Sequence, residues 1–118
     1  MHKYKELIIW KKAISLVTEI YIVTAAFPDK ERFNLISQIN RAAVSIPSNI
    51  AEGAGRNSDK EFIQFLSIAH ASSYELETQL IVSNNLGYLK QENLHKLLES
   101  IEELQKMNFS FTTEIKKV

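Results

Sequence analysis

The sequence predicts an all-α protein, an antiparallel up-down-up-down four-helix bundle whose second helix is kinked near Pro47. Three observations carry this. Apolar residues recur at alternating three- and four-residue steps over long stretches, the spacing that lines one face of a helix. Only three glycines and two prolines punctuate 118 residues, so there are few turns and long helices are favoured over many short strands. The connections between periodic stretches are short, which makes successive helices antiparallel neighbours. One domain spanning residues 1–118 is the natural count for this length.

Helix one is expected over about residues 6–27. Leu7, Trp10, Ile14, Val17, Tyr21 and Thr24 form one apolar stripe, and Ile9, Ala13, Leu16, Ile20, Val23 and Phe27 a second beside it. Two adjoining stripes exceed the needs of one bundle seam. Either the helix is buried deep in its own monomer, or it offers a contact surface to another chain. Pro28 ends it by removing a donor and restricting Phe27.

Helix two is expected over about residues 30–53, with Asp29 as N-cap and Glu31 in the first turn, where the dipole favours an anion. Ile36, Ile39, Ala43, Ile46 and Ile50 form its seam. Pro47 deprives the Ala43 carbonyl of a donor, but the apolar period continues past it, so a kink is expected and not a break. Gly53-Ala54-Gly55 supplies backbone freedom for the turn.

Ser58-Asp59-Lys60-Glu61 is a capping box opening helix three over about residues 59–86. Phe62, Leu66, Ala69, Ser73, Leu76, Leu80 and Ser83 stand at seam spacing. The small residues Ala69, Ala71, Ser72 and Ser73 admit a close neighbour. Gly87 fits the left-handed position after the helix. Helix four, over about residues 91–115, carries Leu94, Leu97, Ile101, Leu104, Asn108, Phe111 and Ile115 on its seam.

Composition narrows the chemistry. With no cysteine, disulfides, zinc fingers and thiol catalysis are excluded. Met1 to Trp10 reads as neither signal peptide nor membrane span, and a bacterial cytoplasmic protein without membrane contact is expected. Formal net charge is zero, which argues against a strong nonspecific nucleic-acid binder. The charge is nonetheless uneven, with nine Lys/Arg against six Asp/Glu in residues 1–60. Lys3, Lys5, Lys11, Lys12, Arg56 and Lys60 are therefore the candidate nucleic-acid contacts.

Glu92 and His95 have the Glu-x-x-His spacing of a metal-binding bundle, but only one copy occurs, and such bundles need two. Ser45, Ser48, Ser72, Ser73 and His70 lack an elbow or oxyanion loop around them. The Gly53-x-Gly55 turn, with Arg56 and Lys60 nearby, lacks the spacing of a phosphate loop. No catalytic, cofactor or metal residues are assigned, and a non-enzymatic protein is expected. Arg41, Asn49 and Glu52 on helix two, with Glu75 and Glu77 on helix three, stand close to seam residues. Arg41 either meets Glu75 or Glu77 across a helix or subunit boundary, since a buried charge needs a partner, or all of these groups face water.

The run Gln38 to Gly53, QINRAAVSIPSNIAEG, resembles the signature of the four-helix-bundle family encoded by intervening sequences of bacterial 23S ribosomal RNA genes. Leu7 with Trp10-Lys11-Lys12-Ala13, Phe27-Pro28 with Glu31, Leu76-Glu77-Thr78-Gln79-Leu80 and Leu86-Gly87-Tyr88 resemble its other blocks. Ala71 departs from the pattern, where the family usually has glycine. The resemblance implies structural roles for Arg41, Ser45, Pro47, Asn49, Glu52, Gly53 and Glu77, and carries over no catalytic residue or cofactor. It further implies a ring-like homopentamer. The related accessory factor of diversity-generating retroelements partners a reverse transcriptase and binds nucleic acid through basic surface. By this likeness, an oligomeric scaffold for RNA or an RNA-handling protein is expected, with a protein-interaction module free of nucleic acid as the alternative.

Overall fold

The computed structural model describes residues 2–117. Among the described residues there are four helices, α1 (Ile8–Thr24), α2 (Leu35–Ala54), α3 (Asp59–Asn85) and α4 (Gln91–Lys116), with single 3-10 turns at Tyr4–Glu6 and Asp29–Glu31. They form an elongated bundle of 46 × 24 × 20 Å. Among the described residues α1 packs on α2 and α4, and α3 on the same two, without diagonal contacts. The helices therefore stand at the corners of a square, as short antiparallel connections require.

Helix boundaries show where local chemistry overrides apolar period. α1 ends at Thr24, three residues before the expected stop, because the amides of Ala26 and Phe27 turn to Val23 and Thr24 in tighter 3-10 bonds. The chain from Asp29 is a 3-10 turn and not the start of α2. Asp29 caps nothing and its carboxylate lies 3.8 Å from Arg32 Nε instead. Asn34, at φ −117° and ψ −101°, separates that turn from α2, which begins at Leu35. α2 then runs unbroken through buried Pro47.

The capping box forms as expected. Ser58 Oγ accepts from the Glu61 amide at 3.2 Å and donates to the Glu61 carboxylate at 3.2 Å. At the other end of α3, Gly87 has φ +83°. The Tyr88 amide reaches the Ser83 carbonyl and the Gly87 amide the Asn84 carbonyl, both at 3.0 Å. These are the paired bonds of a Schellman cap.

The core settles the double stripe of α1. Ile9, Ala13, Leu16, Ile20 and Phe27 of the second stripe are buried with Ile39, Ile46, Ile50, Phe62, Leu66, Leu76, Leu80 and Ile101. The first stripe is the flank facing α2: Trp10 and Val17 are half-buried, while Ile14 and Tyr21 stay exposed. Burial within the monomer thus accounts for one stripe and leaves part of the other uncovered.

Gly53 departs from expectation in an informative way. It lies inside α2, and a Cβ there would stand 2.6 Å from Phe65 Cβ and 2.8 Å from Phe62 Cδ1. Its role is to let α3 approach, not to turn the chain. Gly55, at φ −85° and ψ −3°, occupies a conformation open to any residue.

The two turns at the far end are tied together. Tyr88 Oη donates to Glu31 Oε2 at 2.9 Å, and its ring packs on Phe27 with centroids 5.7 Å apart. The hydrogen bond to the carboxylate, then loss of solvation, then the anion's repulsion all raise the phenol above its ordinary value of 10.0. A group with a raised folded pKa contributes stability that is fully present below its unfolded value and lost as pH rises through the folded one. Ultraviolet titration of the phenols should therefore show one of the four tyrosines ionising late. Glu31→Gln should return it to the ordinary range, and an unchanged profile would contradict the contact.

Candidate functional site

Residues of the α2 signature form a polar seam between α2 and α3. Asn49 Nδ2 donates to the Ser45 carbonyl at 2.7 Å and to Ser45 Oγ at 2.9 Å. Ser45 Oγ in turn lies 2.9 Å from Ser72 Oγ on α3. Small hydroxyls at this crossing let two backbones come close while satisfying each polar group they bury. Ala71, the departure from the family pattern, is exposed, so its methyl meets no tight contact within the chain.

A second polar set joins α3 to α4. Gln105 Nε2 donates to Ser73 Oγ at 3.0 Å and to Glu77 Oε1 at 2.9 Å. Asn108, buried, donates to the Leu66 carbonyl at 2.9 Å and accepts from Thr112. Asn108 stood on the apolar period of α4, and its polar character marked it. Gln105 carried no such signal, because its partners are set by the register of α3 against α4.

Arg41 does not meet Glu75 or Glu77 inside the chain. It is exposed and has no ion pair among the described residues, Glu75 is exposed, and Glu77 takes Gln105 as its donor. The two acids lie on different flanks of α3, and the α2–α3 crossing is filled by short serine side chains. Pairing within the chain is therefore absent, and Arg41 and Glu75 face water, as the second reading held.

The candidate basic residues are largely brought together. The His2 amide donates to the Ala54 carbonyl at 3.0 Å, and His2 Nε2 lies 3.4 Å from Asp59 Oδ1. The His2 ring packs on Phe62 at 4.8 Å, and Phe111 of α4 meets Phe62 at 5.6 Å. These contacts place the N-terminal segment, the α2–α3 turn and the end of α4 at one end of the bundle. Lys3, Lys5, Arg56 and Lys60 gather there, all exposed. Lys116 and Lys117, not singled out from the sequence, join them through the antiparallel course of α4. Lys117 Nζ is 3.3 Å from Glu114.

Two candidates are partly committed elsewhere. Lys12 Nζ is 3.0 Å from Glu103 across the α1–α4 face. Arg56 bonds Glu52 at 3.1 Å and lies over the Phe65 ring at 4.7 Å. Both pairs are solvent-exposed and hold their cations only weakly. Lys11 is exposed one turn into α1. His95 Nε2 faces Glu99 at 2.6 Å, so its partner is not Glu92 of the expected spacing. No group of three His, Cys, Asp or Glu side chains is placed to share a metal among the described residues. No described helix is long and apolar enough to cross a membrane.

The geometry defines an antiparallel four-helix bundle with a polar α2–α3 seam and an end where Lys3, Lys5, Arg56, Lys60, Lys116 and Lys117 stand among the acids Glu6, Glu52, Asp59, Glu61 and Glu114. The family model for the 23S rRNA-intervening sequence protein matches residues 5–110, and the chain belongs to that family. A crystal structure from Bacteroides thetaiotaomicron, of a protein of unknown function from the S23 ribosomal protein family, is similar with a TM-score of 0.80 at 24% identity. The match covers 89% of this chain and 98% of that one, and at this identity it speaks for the fold. Comparison with curated proteins gives no significant match.

Proposed function

We propose that this protein is a non-enzymatic, cytoplasmic scaffold. It assembles with copies of itself, as a homopentamer, and binds structured RNA or an RNA-handling protein such as a reverse transcriptase. The observation that carries this reading is the convergence of Lys3, Lys5, Arg56 and Lys60, with Lys116 and Lys117, on one end of the bundle. One such end is a weak cationic patch. Repetition around a ring converts it into a multivalent surface, where the second and later contacts form at high effective concentration.

Binding of a structured RNA should be detectable at roughly 50 mM salt and fall steeply towards 200 mM as released counterions lose their advantage. Lys3→Glu with Lys60→Glu should weaken it by at least about tenfold. Lys30→Glu with Lys90→Glu, at the opposite end, should leave it nearly unchanged. No RNA binding at low salt would remove the nucleic-acid part of the proposal. The alternative, a protein-interaction module without nucleic acid, draws support from Glu52, Asp59 and Glu114, which offset the cations locally.

A further inference from the structure

The groove between α3 and α4 is lined by side chains that the fold itself does not use. On α3, Ser67, His70 and Tyr74 follow one another at three- and four-residue steps. On α4, Lys106, Phe109, Thr112 and Lys116 do the same, so each set occupies one face of its helix. Two adjoining hollows fill the groove. One, of about 190 Å³, reaches from Ser67 to Lys116. The other is wider and open, with Tyr74, Lys106 and Ser110 along it. His70 and Phe109 border both. The smaller hollow is several times the roughly 30 Å³ share of one water, so it has room for a ring.

The lining combines bare rings with free cations. Phe109 is 73% exposed and Tyr74 53%. His70 stands edge-on to Tyr74 with centroids 4.9 Å apart, and its Nε2 lies 3.2 Å from the Tyr74 hydroxyl, so the two rings brace each other. Lys106 and Lys116 flank Phe109 and stand about 15 Å apart along α4, at 1.5 Å per residue. Neither has an ion pair among the described residues. The hydroxyls of Ser67 and Ser110 are exposed beside them. Asn108 beneath is already satisfied by the Leu66 carbonyl and Thr112. Glu102, the acid on this lining, lies one turn before Lys106, at the mouth away from Lys116.

Resting on the RNA binding proposed above, we infer that this groove holds an unpaired stretch of the bound RNA. One base stacks on Phe109, and Lys106 and Lys116 meet phosphates on either side of it. Aromatic faces with cations between them are what an unpaired strand requires, since every base has a face to stack and every link a charge to neutralise. A strand fits better than a free nucleotide, because the groove is open along its length and one nucleotide satisfies only one of the two lysines. Lys116 also stands at the end where Lys3, Lys5, Arg56 and Lys60 gather, so a strand leaving that end enters the groove directly. Paired RNA cannot use Phe109, because its bases already stack on one another. The Ser67 and Ser110 hydroxyls are placed for base edges or the 2′-hydroxyl. Glu102 repels a further phosphate and ends the site.

The test compares an RNA hairpin with the same hairpin carrying an unpaired purine tail of about six nucleotides, within the range of single-strand site sizes. The full chain should bind the tailed RNA at least about fivefold more tightly than the blunt one at equal salt. A 2-aminopurine in the tail should lose fluorescence on binding as it stacks. Phe109→Ala should abolish both the gain and the quenching while leaving the blunt hairpin's affinity unchanged. Phe33→Ala, which removes an exposed ring at the opposite end, should preserve both. Lys106→Ala should lower the slope of log affinity on log salt by about 0.7 for the tailed RNA alone. Circular dichroism checks that each variant is folded. A tail that adds nothing, or a gain that survives Phe109→Ala, would overturn the groove while leaving RNA binding standing. A protein that binds neither RNA at low salt would overturn both.

Discussion

Gly53→Ala should destabilise the protein by about 1–2 kcal/mol, although alanine is the better helix former. In an exposed helix the exchange would gain up to about 1 kcal/mol. Here the new methyl would stand 2.6 Å from Phe65 Cβ and 2.8 Å from Phe62 Cδ1. Phe65 Cβ is fixed to the backbone of α3 and cannot rotate away, so α3 must shift. Overpacking of this kind costs about 1–3 kcal/mol, which outweighs the propensity gain. Gly55→Ala supplies the contrast. Its Cβ would meet only backbone carbonyl oxygens, at 3.6 Å and beyond, and its φ of −85° suits any residue. That exchange should stabilise by about 0.4–1 kcal/mol. Urea unfolding of the two variants should move in opposite directions, and a gain in stability at Gly53 would refute the close approach of α2 and α3.

Phe62→Ala should be still more costly, about 3–5 kcal/mol, which is a large share of the roughly 5–15 kcal/mol that holds a typical domain together. Phe62 is 1% exposed and among the largest fully buried side chains. It also joins three parts of the chain: its ring meets Phe111 of α4 edge-on at 5.6 Å and His2 at 4.8 Å. Its loss opens a cavity and removes the platform on which the N-terminal segment rests, so Lys3 and Lys5 should leave the basic end as well. Phe109→Ala removes the same ring type from an exposed position and should change monomer stability by less than about 0.5 kcal/mol. Equal responses at the two positions, measured by equilibrium unfolding, would contradict the assignment of core and surface.

The contrast between these phenylalanines shows what periodicity reveals and where it stops. Apolar spacing identified the seams of all four helices, and the Ser58–Glu61 box and Gly87 marked boundaries because their chemistry is local. The start of α2 was not legible in the same way. Asp29 and Glu31 look like a helix opening, but Asp29–Glu31 is a 3-10 turn, and the Glu31 carboxylate accepts from the Tyr88 hydroxyl, 57 positions away and invisible to local pattern. Gly53 read as a turn residue for the same reason: its neighbours Phe62 and Phe65 are brought to it only by the antiparallel return of α3.

The basic residues were legible one by one, but their grouping depends on topology. Lys3 and Lys60 are distant in sequence and become neighbours because His2 docks on Ala54 and Asp59. Arg41 was legible as an anomaly, a charge among seam positions, and the structure resolves it by exposing the side chain to water without an ion pair among the described residues.

The central claim is that the uncovered stripe of α1 belongs to an assembly. Light scattering coupled to size exclusion at micromolar concentration tests it most directly. The expected result is the mass of a pentamer. A mass of 13.5 kDa, that of the single chain, would contradict it.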